Sequence, residues 1–587
     1  MRNHAMNIGA DITIIGAGPC GLTAALLATK KGFKVTVIEQ KAPDSYHGYA
    51  HFINAQTLSI LAKAGLDMTL FEQRSTSLEE EQSMVYATSL TQPFARIDLT
   101  DSEAFDKRFH HLGKYGAGIH LGYQLWRDTL LDACRRTGVR ILWHHEVTGI
   151  DTSRKQLFCK YVGEEKNITY QWLICCDGVK SKIRSILNIR YSQSPKTWAK
   201  FLSIKTSGDL RPFVSQPSLM YWIYQIPLSA CVVLHNVSKF HVWQIPLSHT
   251  EQATEFNRQD RQLRLIARFI GIDLTELKQT NINIEYSRIW HMKTHMIADM
   301  QPDGSIFLAG DAAHGLTPAG GLGLNTAIGD VDNLIWKLAH SHHNQSTIIS
   351  SYQTERHRIG QSRVRHSIKH YENLLKVPSA LGLPTAYQKP LTNLRYFGSS
   401  MIGNPQQSYI DDRLNEMLSQ WAQKVYEGKN LVTKEVKKSV HQAVEDNRSY
   451  FDYIDEQLFF QYPKSQLTGT GSTFEHFKNS LTPGVWVGYM KIIDDGSVFF
   501  LGTHHLSYKP CIICYSSEDY AHILSHKQRE SKRLDVDCYI ISPYSYGYQD
   551  WSQKRPYILI RPDMIILNIY QAHEIANVVT DYKALLE

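Results

Sequence analysis

Three kinds of hydrophobic spacing alternate along the 587 residues. From Asp11 to Ile15 the chain is apolar and β-branched, Leu22 to Ala28 favours helix, Gly32 stops it, and Lys34 to Ile38 alternates again. That order predicts a strand-helix-strand unit. From Ser83 to His110 short alternating runs broken by Pro93 and by charges take over, and helical spacing returns only at Gln124 to Arg136. A second strand-rich stretch follows Arg190, with Tyr221-Trp222-Ile223-Tyr224 and Val242-Trp243, before the first pattern resumes at Trp290. Together the two stretches predict one inserted sheet, and most of their aromatics read as sheet core. After Asn325 the residues Leu324, Ile328, Val331, Ile335 and Leu338 mark a helix that buries one face. Charged helical sequence runs on to about Lys376, and a less regular, mostly helical connector reaches about Asn479. The remainder returns to strands at Val485–Met490, Ser497–Leu501, Asp537–Ile541 and Tyr557–Ile560.

These changes of spacing divide the chain into a discontinuous first domain (8–82, 111–190 and 290–376), an inserted β-sheet domain (83–110 and 191–289), a helical connector (377–479) and a C-terminal domain (480–587). The length is too great for a single core, so several domains are expected. A net charge of +7 is spread over interleaved Lys, Arg, Asp and Glu without a basic run, which argues against a nucleic-acid partner. No apolar run has the length of a membrane span, and Met1 to Ala10 lacks the apolar core of a signal peptide. A cytoplasmic protein is expected. The nine cysteines suit buried reduced thiols better than a disulfide framework. Cys511 and Cys514 form a CxxC, but in a strand-like run positions three apart point to opposite faces, and nothing completes a metal shell. Structural thiols are expected, and no metal.

Two distant glycine-rich motifs carry the chemistry. In Ile14-Ile15-Gly16-Ala17-Gly18-Pro19-Cys20-Gly21, Gly16 suits a tight turn, Gly18 a close approach to a pyrophosphate, and Gly21 the packing of helix on strand. Glu39 ends the second strand, where a carboxylate can accept ribose hydroxyls. The turn alone leaves NAD and FAD both open. The second motif joins an apolar strand, Ile306 to Ala309, to Gly310-Asp311-Ala312-Ala313-His314 and then Pro318-Ala319-Gly320-Gly321-Leu322-Gly323-Leu324-Asn325. It places an acid after a strand and free N–H groups at a helix start. Together they predict a flavin dinucleotide lying between two parts of the chain. Asp177-Gly178 with Ser181 and Arg184, by itself, reads as a capped helix start.

Four stretches then match one family in order: the GxGxxG with Glu39, the DGxxSxxR of Asp177 to Arg184, the GDAAH with PxGGxGxN of Gly310 to Asn325, and Trp336-Lys337-Leu338-Ala339. The chain resembles the single-component FAD-dependent aromatic hydroxylases related to para-hydroxybenzoate hydroxylase. Leu559-Ile560-Arg561-Pro562-Asp563 is similar to the closing strand of the phenol hydroxylase and 3-hydroxyphenylpropionate hydroxylase branch. The resemblance implies an α/β fold: a Rossmann-type, glutathione-reductase-like FAD domain, an inserted β-sheet substrate domain, and a thioredoxin-like C-terminal α/β domain. It implies that Gly16, Gly18, Pro19, Gly21 and Glu39 hold the ADP half of non-covalent FAD, with Gln124 near the cofactor. Asp311, after Gly310, would accept from the ribityl chain, Pro318 would sit beside the isoalloxazine, and Gly320, Gly321, Gly323, Leu324 and Asn325 would offer N–H groups. Asp177, Gly178 and Arg184 would serve FAD and NAD(P)H.

The chemistry so implied is a monooxygenation in which NADPH or NADH reduces FAD, O₂ forms a C4a-hydroperoxide, and one oxygen atom passes to a phenolic or polycyclic aromatic substrate. His51 falls where phenol hydroxylase carries an active-site acid and would take the phenol proton. Tyr49, Gln56, Ser59, Leu322 and Met564 depart from the family pattern without removing a required glycine. Epoxidation, Baeyer–Villiger insertion, simple oxidation or reduction, and a non-catalytic FAD-binding scaffold also fit this architecture. A small aromatic substrate, O₂ and NAD(P)H are the expected partners, and a homodimer is compatible with the sequence.

Overall fold

The computed structural model describes residues 10–43, 52–76, 83–98, 118–214, 218–225, 228–247, 258–340, 345–383 and 405–448, and, of the C-terminal part, 462, 486–487, 490–494, 497–505, 509–521, 523, 537–542, 557–570, 574 and 577. Its first layer is a five-stranded parallel sheet in the order Ile306–Leu308, Trp172–Cys175, Ile12–Ile15, Val35–Ile38, Arg140–Leu142. All four residues of Ile12–Ile15 are buried, as expected of a strand covered on both faces. Helix Pro19–Lys30 packs against helices Tyr123–Arg136 and Leu322–Ala339. A three-stranded antiparallel sheet, from His145 to Thr169, stands beside it.

The two strand-rich excursions meet in one eight-stranded sheet. Its order is His314–Gly315, Asn283–Ile297, Tyr191–Ser207, Phe240–Leu247, Ala230–Asn236, Met220–Ile223, Ser83–Ser89, Gln92–Asp98. Trp243 and Tyr221 are fully buried against helix Gln259–Ile270, so these two aromatics are sheet core as expected. The other face carries Met84 and Tyr86, which pack with Val425, Val440 and Val444 of helices Pro405–Glu427 and Leu431–Arg448. Those helices therefore back the inserted sheet.

A six-stranded mixed sheet closes the chain, in the order Ser497–Phe500, Lys491–Asp494, Asp537–Ile541, Cys511–Cys514, Tyr557–Ile560, Ile566–Tyr570. Within Cys511–Cys514 the two thiols enter different apolar clusters, Cys511 with Ile513 and Cys514 with Ile512, which is the opposite-face placement that a strand dictates. Of the expected strand Val485–Met490 only Trp486, Val487 and Met490 are described; Trp486 bridges to Ile565 and Val487 N–H donates to the carbonyl of Met564 at 2.8 Å. No described helix is long and apolar enough to cross a membrane.

A correction concerns Leu322–Ala339. The helix buries far more than one face, since every residue from Asn325 to Leu338 is buried, including Asp330, Asp332, Asn333 and Lys337. Neighbouring helices account for it: Lys63 of helix Ala55–Lys63 donates to Asp332 at 2.8 Å and to the carbonyl of Pro562 at 3.2 Å, and Lys337 donates to Glu355 of helix Gln345–Leu374 at 2.8 Å. The side that periodicity marked as polar faces protein, and each charge there is met by an opposite one.

Candidate functional site

Parallel strands end at the same sheet edge, and that alone gathers motifs spread over three hundred residues. Ile15 is in register with both Cys175 and Ile38, and Cys175 with Leu308. The residues that follow these ends are Gly16–Gly18, Asp177–Gly178, Glu39 and Gly310–Asp311. Along the edge the order is thus Asp311, Asp177, Gly18, Glu39, outside the carboxyl ends of the strands, where open α/β sheets hold their ligands.

Each glycine has a distinct local cause. Gly16 has φ +102°, and a Cβ there would lie 2.4 Å from the carbonyl oxygen of Cys176. At Gly21 a Cβ would meet the carbonyl oxygen of Gly16 at 2.0 Å and the side chain of Ile14 at 3.3 Å, so helix and strand touch here without room for a side chain. At Gly18 nothing stands within 4 Å of the corresponding point. The space before Gly18 is open, and the helix behind it starts at Pro19 with no side-chain cap, so its first N–H groups face that space.

Glu39 is buried and already oriented. One carboxylate oxygen accepts from Ala17 N–H and the other from Lys41 N–H, both at 2.8 Å. Tyr123, at the start of its helix, lies between this end and the other. Burial first, with nearby Arg127, Asp311, Arg288 and Glu39 pulling in both directions, pushes its hydroxyl up to about 12. Gln124 donates from its amide nitrogen to Asp128 at 3.0 Å along its own helix.

Asp311 follows the strand in a single turn of 3₁₀ helix, Gly310–Ala312, in which Gly310 has φ +60°. Its side chain has open surface toward the crevice although protein encloses it on the remaining sides. That enclosure pushes the carboxyl above its usual range, against His314 and Arg184, and water on the open side weakens the push. Asp177 is more deeply set. Burial raises its carboxyl, while Ser181, the Ile183 N–H and Arg184 oppose the shift, and its Oδ1 is buried with no hydrogen-bond partner among the described residues.

The guanidinium of Arg184 donates to the carbonyls of Ala312 at 2.8 Å and Val179 at 2.7 Å, and so ties the Asp177 loop to the Asp311 turn. Asn325 has a similar role. Its Oδ1 accepts from Asn54 N–H at 3.0 Å and Thr57 Oγ1 at 2.7 Å, and its amide donates to the carbonyls of Gly321 at 2.7 Å and Phe52 at 3.2 Å. Its backbone, with those of Leu322, Gly323 and Leu324, forms the first turn of a helix that has Gly321 in the left-handed region (φ +63°) and no side-chain cap. Pro318 is exposed at the crevice mouth. His51 and Tyr49 lie outside the described residues.

An aromatic-rich apolar cluster adjoins this turn. Ala319 packs in one apolar cluster with Ala199, Met292, Tyr371 and Leu374, against which Trp198, Phe201, Trp222 and Trp290 rest partly buried. Phe201 and Trp290 stack with centroids 5.2 Å apart, and Trp198 meets Tyr371 edge-on at 6.3 Å. Trp198 donates its indole N–H to Thr294 at 2.9 Å and Trp290 to Ser203 at 2.7 Å, leaving apolar ring faces. Sequence reasoning did not find Trp198 and Phe201, because positions three apart in a regular strand oppose each other. Here a bulge between Thr197 and Ala199 changes that parity. It also did not find Asp330, which accepts from Gly310 N–H at 3.0 Å and His314 Nε2 at 2.7 Å. An aspartate within the apolar run of a helix was the available signal.

The residues fit FAD on three observations: the open space before Gly18, the partnerless Asp177 oxygen, and two uncapped helix starts aimed at one crevice. Comparison with known proteins agrees. The family model described as FAD binding domain matches residues 9–367. Among curated proteins, the 2,4-dichlorophenol 6-monooxygenase of Cupriavidus pinatubonensis is 26% identical over 396 residues, 65% of this chain and 65% of that one. The tetracenomycin B2 monooxygenase-dioxygenase of Streptomyces olivaceus is 24% identical over 415 residues, 67% of this chain and 74% of its own. The chain thus spans about two thirds of the length of the curated relatives it matches. Among solved structures, the flavin-dependent monooxygenase PieE in complex with FAD and substrate superposes with a TM-score of 0.81 at 17% identity, covering 98% of this chain and 99% of that one. A ternary complex of aklavinone-11 hydroxylase with FAD and aklavinone gives 0.70 at 16% identity, covering 98% of both chains.

Proposed function

Because the chain belongs to the FAD-binding-domain family, we propose that it is an FAD-dependent, NAD(P)H-consuming monooxygenase that inserts one oxygen atom of O₂ into a phenolic or polycyclic aromatic compound. The observation that supports this reading is the placement of Ala319, which belongs both to the glycine-rich turn and to the apolar cluster on which Trp198, Phe201, Trp222 and Trp290 rest. When bound, FAD supplies two-electron redox chemistry and the activation of O₂. The protein's part is to hold, orient and dry the reactants.

In this reading Gly16, Gly18, Pro19 and Gly21 admit the pyrophosphate, Glu39 accepts ribose hydroxyls, and Asp311 faces the ribityl chain. N–H groups from Leu322 to Asn325 stabilise negative charge on the ring system, as a helix start does. Asp177 and Gly178 line the middle of the crevice, with Arg184 as their tie. The stacked pair Phe201–Trp290 and the edge pair Trp198–Tyr371 suit flat ring substrates and exclude water, which protects a reactive oxygen donor from wasteful loss. Relatives whose names specify a dichlorophenol or a tetracenomycin support both the phenolic and the polycyclic option. His51 is the proposed acceptor of the phenol proton.

Substrate-stimulated NADPH oxidation, with product analysis under ¹⁸O₂, tests the proposal. Label in the product supports it, and turnover with all electrons recovered in H₂O₂ leaves a simple oxidase instead. His51→Ala is expected to remove the rise of hydroxylation rate with pH near neutrality while FAD binding persists. An unchanged profile rejects the role of His51.

A further inference from the structure

A chain of buried ionic contacts runs from the C-terminal sheet to the cofactor turn. Arg561 donates to Glu355 at 2.7 and 2.9 Å and to Asp563 at 2.8 Å. Glu355 also accepts from Lys337 and Asn333, each at 2.8 Å. Its neighbour Arg356 donates through Nε to Asp330 at 2.8 Å, through Nη1 to Tyr462 at 3.0 Å and through Nη2 to the carbonyl of Thr326 at 3.1 Å. Asn333 closes the loop by donating to Asp563 at 3.1 Å and Tyr462 at 3.3 Å. Asp330 in turn holds Gly310 N–H and His314, the two ends of the turn that carries Asp311.

We infer that Arg356 and Asp330 are positioning residues for the cofactor turn, and that the seating of the C-terminal sheet through Arg561 and Glu355 sets the affinity of the crevice for FAD. The inference rests on the reading of the crevice as an FAD site. Gly310 requires a left-handed backbone (φ +60°), a conformation that persists only where the surroundings hold it, and Asp330 is the side chain that does so. Asp330 cannot do this alone. Burial by itself would raise its carboxyl, and His314 and Arg356 together outweigh that and hold it below the usual range. Arg356 is held by Tyr462, which Asn333 links to Asp563 of the C-terminal sheet, so a shift at that sheet reaches the carboxylate that clamps Gly310. Such a network acts as a unit, because a partner removed from it leaves a buried charge uncompensated.

The test uses the full chain stripped of FAD and titrated with FAD by fluorescence quenching. Tyr462→Phe removes one hydroxyl and no charge, and is expected to weaken FAD binding at least about fivefold while the apoprotein's denaturation midpoint moves little. Asp330→Asn should weaken it further, and Arg356→Lys should recover more binding than Arg356→Met. In the double variant Tyr462→Phe with Asp330→Asn, the losses should fall short of additive, since both break one path. FAD affinity unchanged in Tyr462→Phe, or strictly additive losses, overturns the inference. A wild-type chain that fails to take up FAD overturns instead the reading of the crevice itself.

Discussion

A Cβ on Gly16 would stand 2.4 Å from the carbonyl oxygen of Cys176, the residue just past the end of the adjacent parallel strand. Gly18, two residues on, faces no protein atom within 4 Å and has φ −76°, which any residue adopts. The two glycines of one motif therefore answer to different demands, and alanine separates them. Gly16→Ala meets both a backbone clash and a left-handed φ, and is expected to cost about 1–3 kcal/mol of stability by urea denaturation. Gly18→Ala is expected to stay within about 0.5 kcal/mol of wild type in stability. Its FAD dissociation constant should rise about tenfold or more, because the new methyl occupies ligand space. Equal destabilisation by both would show that Gly18 also serves the fold.

Arg184 offers a second separation. Its two terminal nitrogens reach the carbonyls of Ala312 and Val179, an arrangement that needs the planar fork of a guanidinium. If the residue acts through those loops, Arg184→Lys loses one contact and leaves a buried carbonyl unmet, a cost of about 1–3 kcal/mol. FAD binding is then expected to weaken although the positive charge remains. Full FAD affinity in Arg184→Lys would instead indicate that charge at this position suffices.

Much of this site is legible in the sequence because its causes are local. A glycine that must turn, a carboxylate at a strand end and an uncapped helix start each leave a mark within a few residues, and parallel register brings them to one edge. What the sequence does not display is what other chain segments supply. The polar face of Leu322–Ala339 reads as solvent-facing until Lys63, Glu355 and Arg561 are seen to cover it. The motif places Arg184 but does not show which carbonyls, Ala312 and Val179, its guanidinium reaches. Trp198 and Phe201 escape the period-two rule through one bulged residue.

The aromatic cluster predicts a split between cofactor and substrate. Trp290→Ala removes the ring that stacks on Phe201 and leaves the crevice residues untouched. Loss of a buried apolar face of this size is worth about 1.5–3 kcal/mol, so KM for an aromatic substrate is expected to rise roughly ten- to a hundredfold. The share of NAD(P)H ending in H₂O₂ should rise with it, as water enters. An altered FAD dissociation constant with an unchanged KM would place Trp290 in the wrong compartment.

His295 predicts how stability responds to acid. It is buried beside Arg184 and His314, and a Cβ on Gly315 would lie 2.4 Å from its Nδ1. Burial, then the neighbouring Arg184 and His314, lower its pKa from 6.5 to about 3, while the contact with the Asp311 backbone opposes the shift. The folded protein thus keeps this imidazole neutral where the unfolded chain protonates it. Its contribution to stability is complete above pH 6.5 and is lost as pH falls toward 3, with a slope of at most about 1.4 kcal/mol per pH unit. Replacing the imidazole with an amide that does not titrate, in His295→Gln, should flatten the denaturation midpoint against pH in that window while leaving the profile above pH 7 parallel to wild type. A wild-type profile already flat between pH 6.5 and 4 would mean that His295 accepts a proton in the fold, and that the Asp311 turn tolerates a further positive charge.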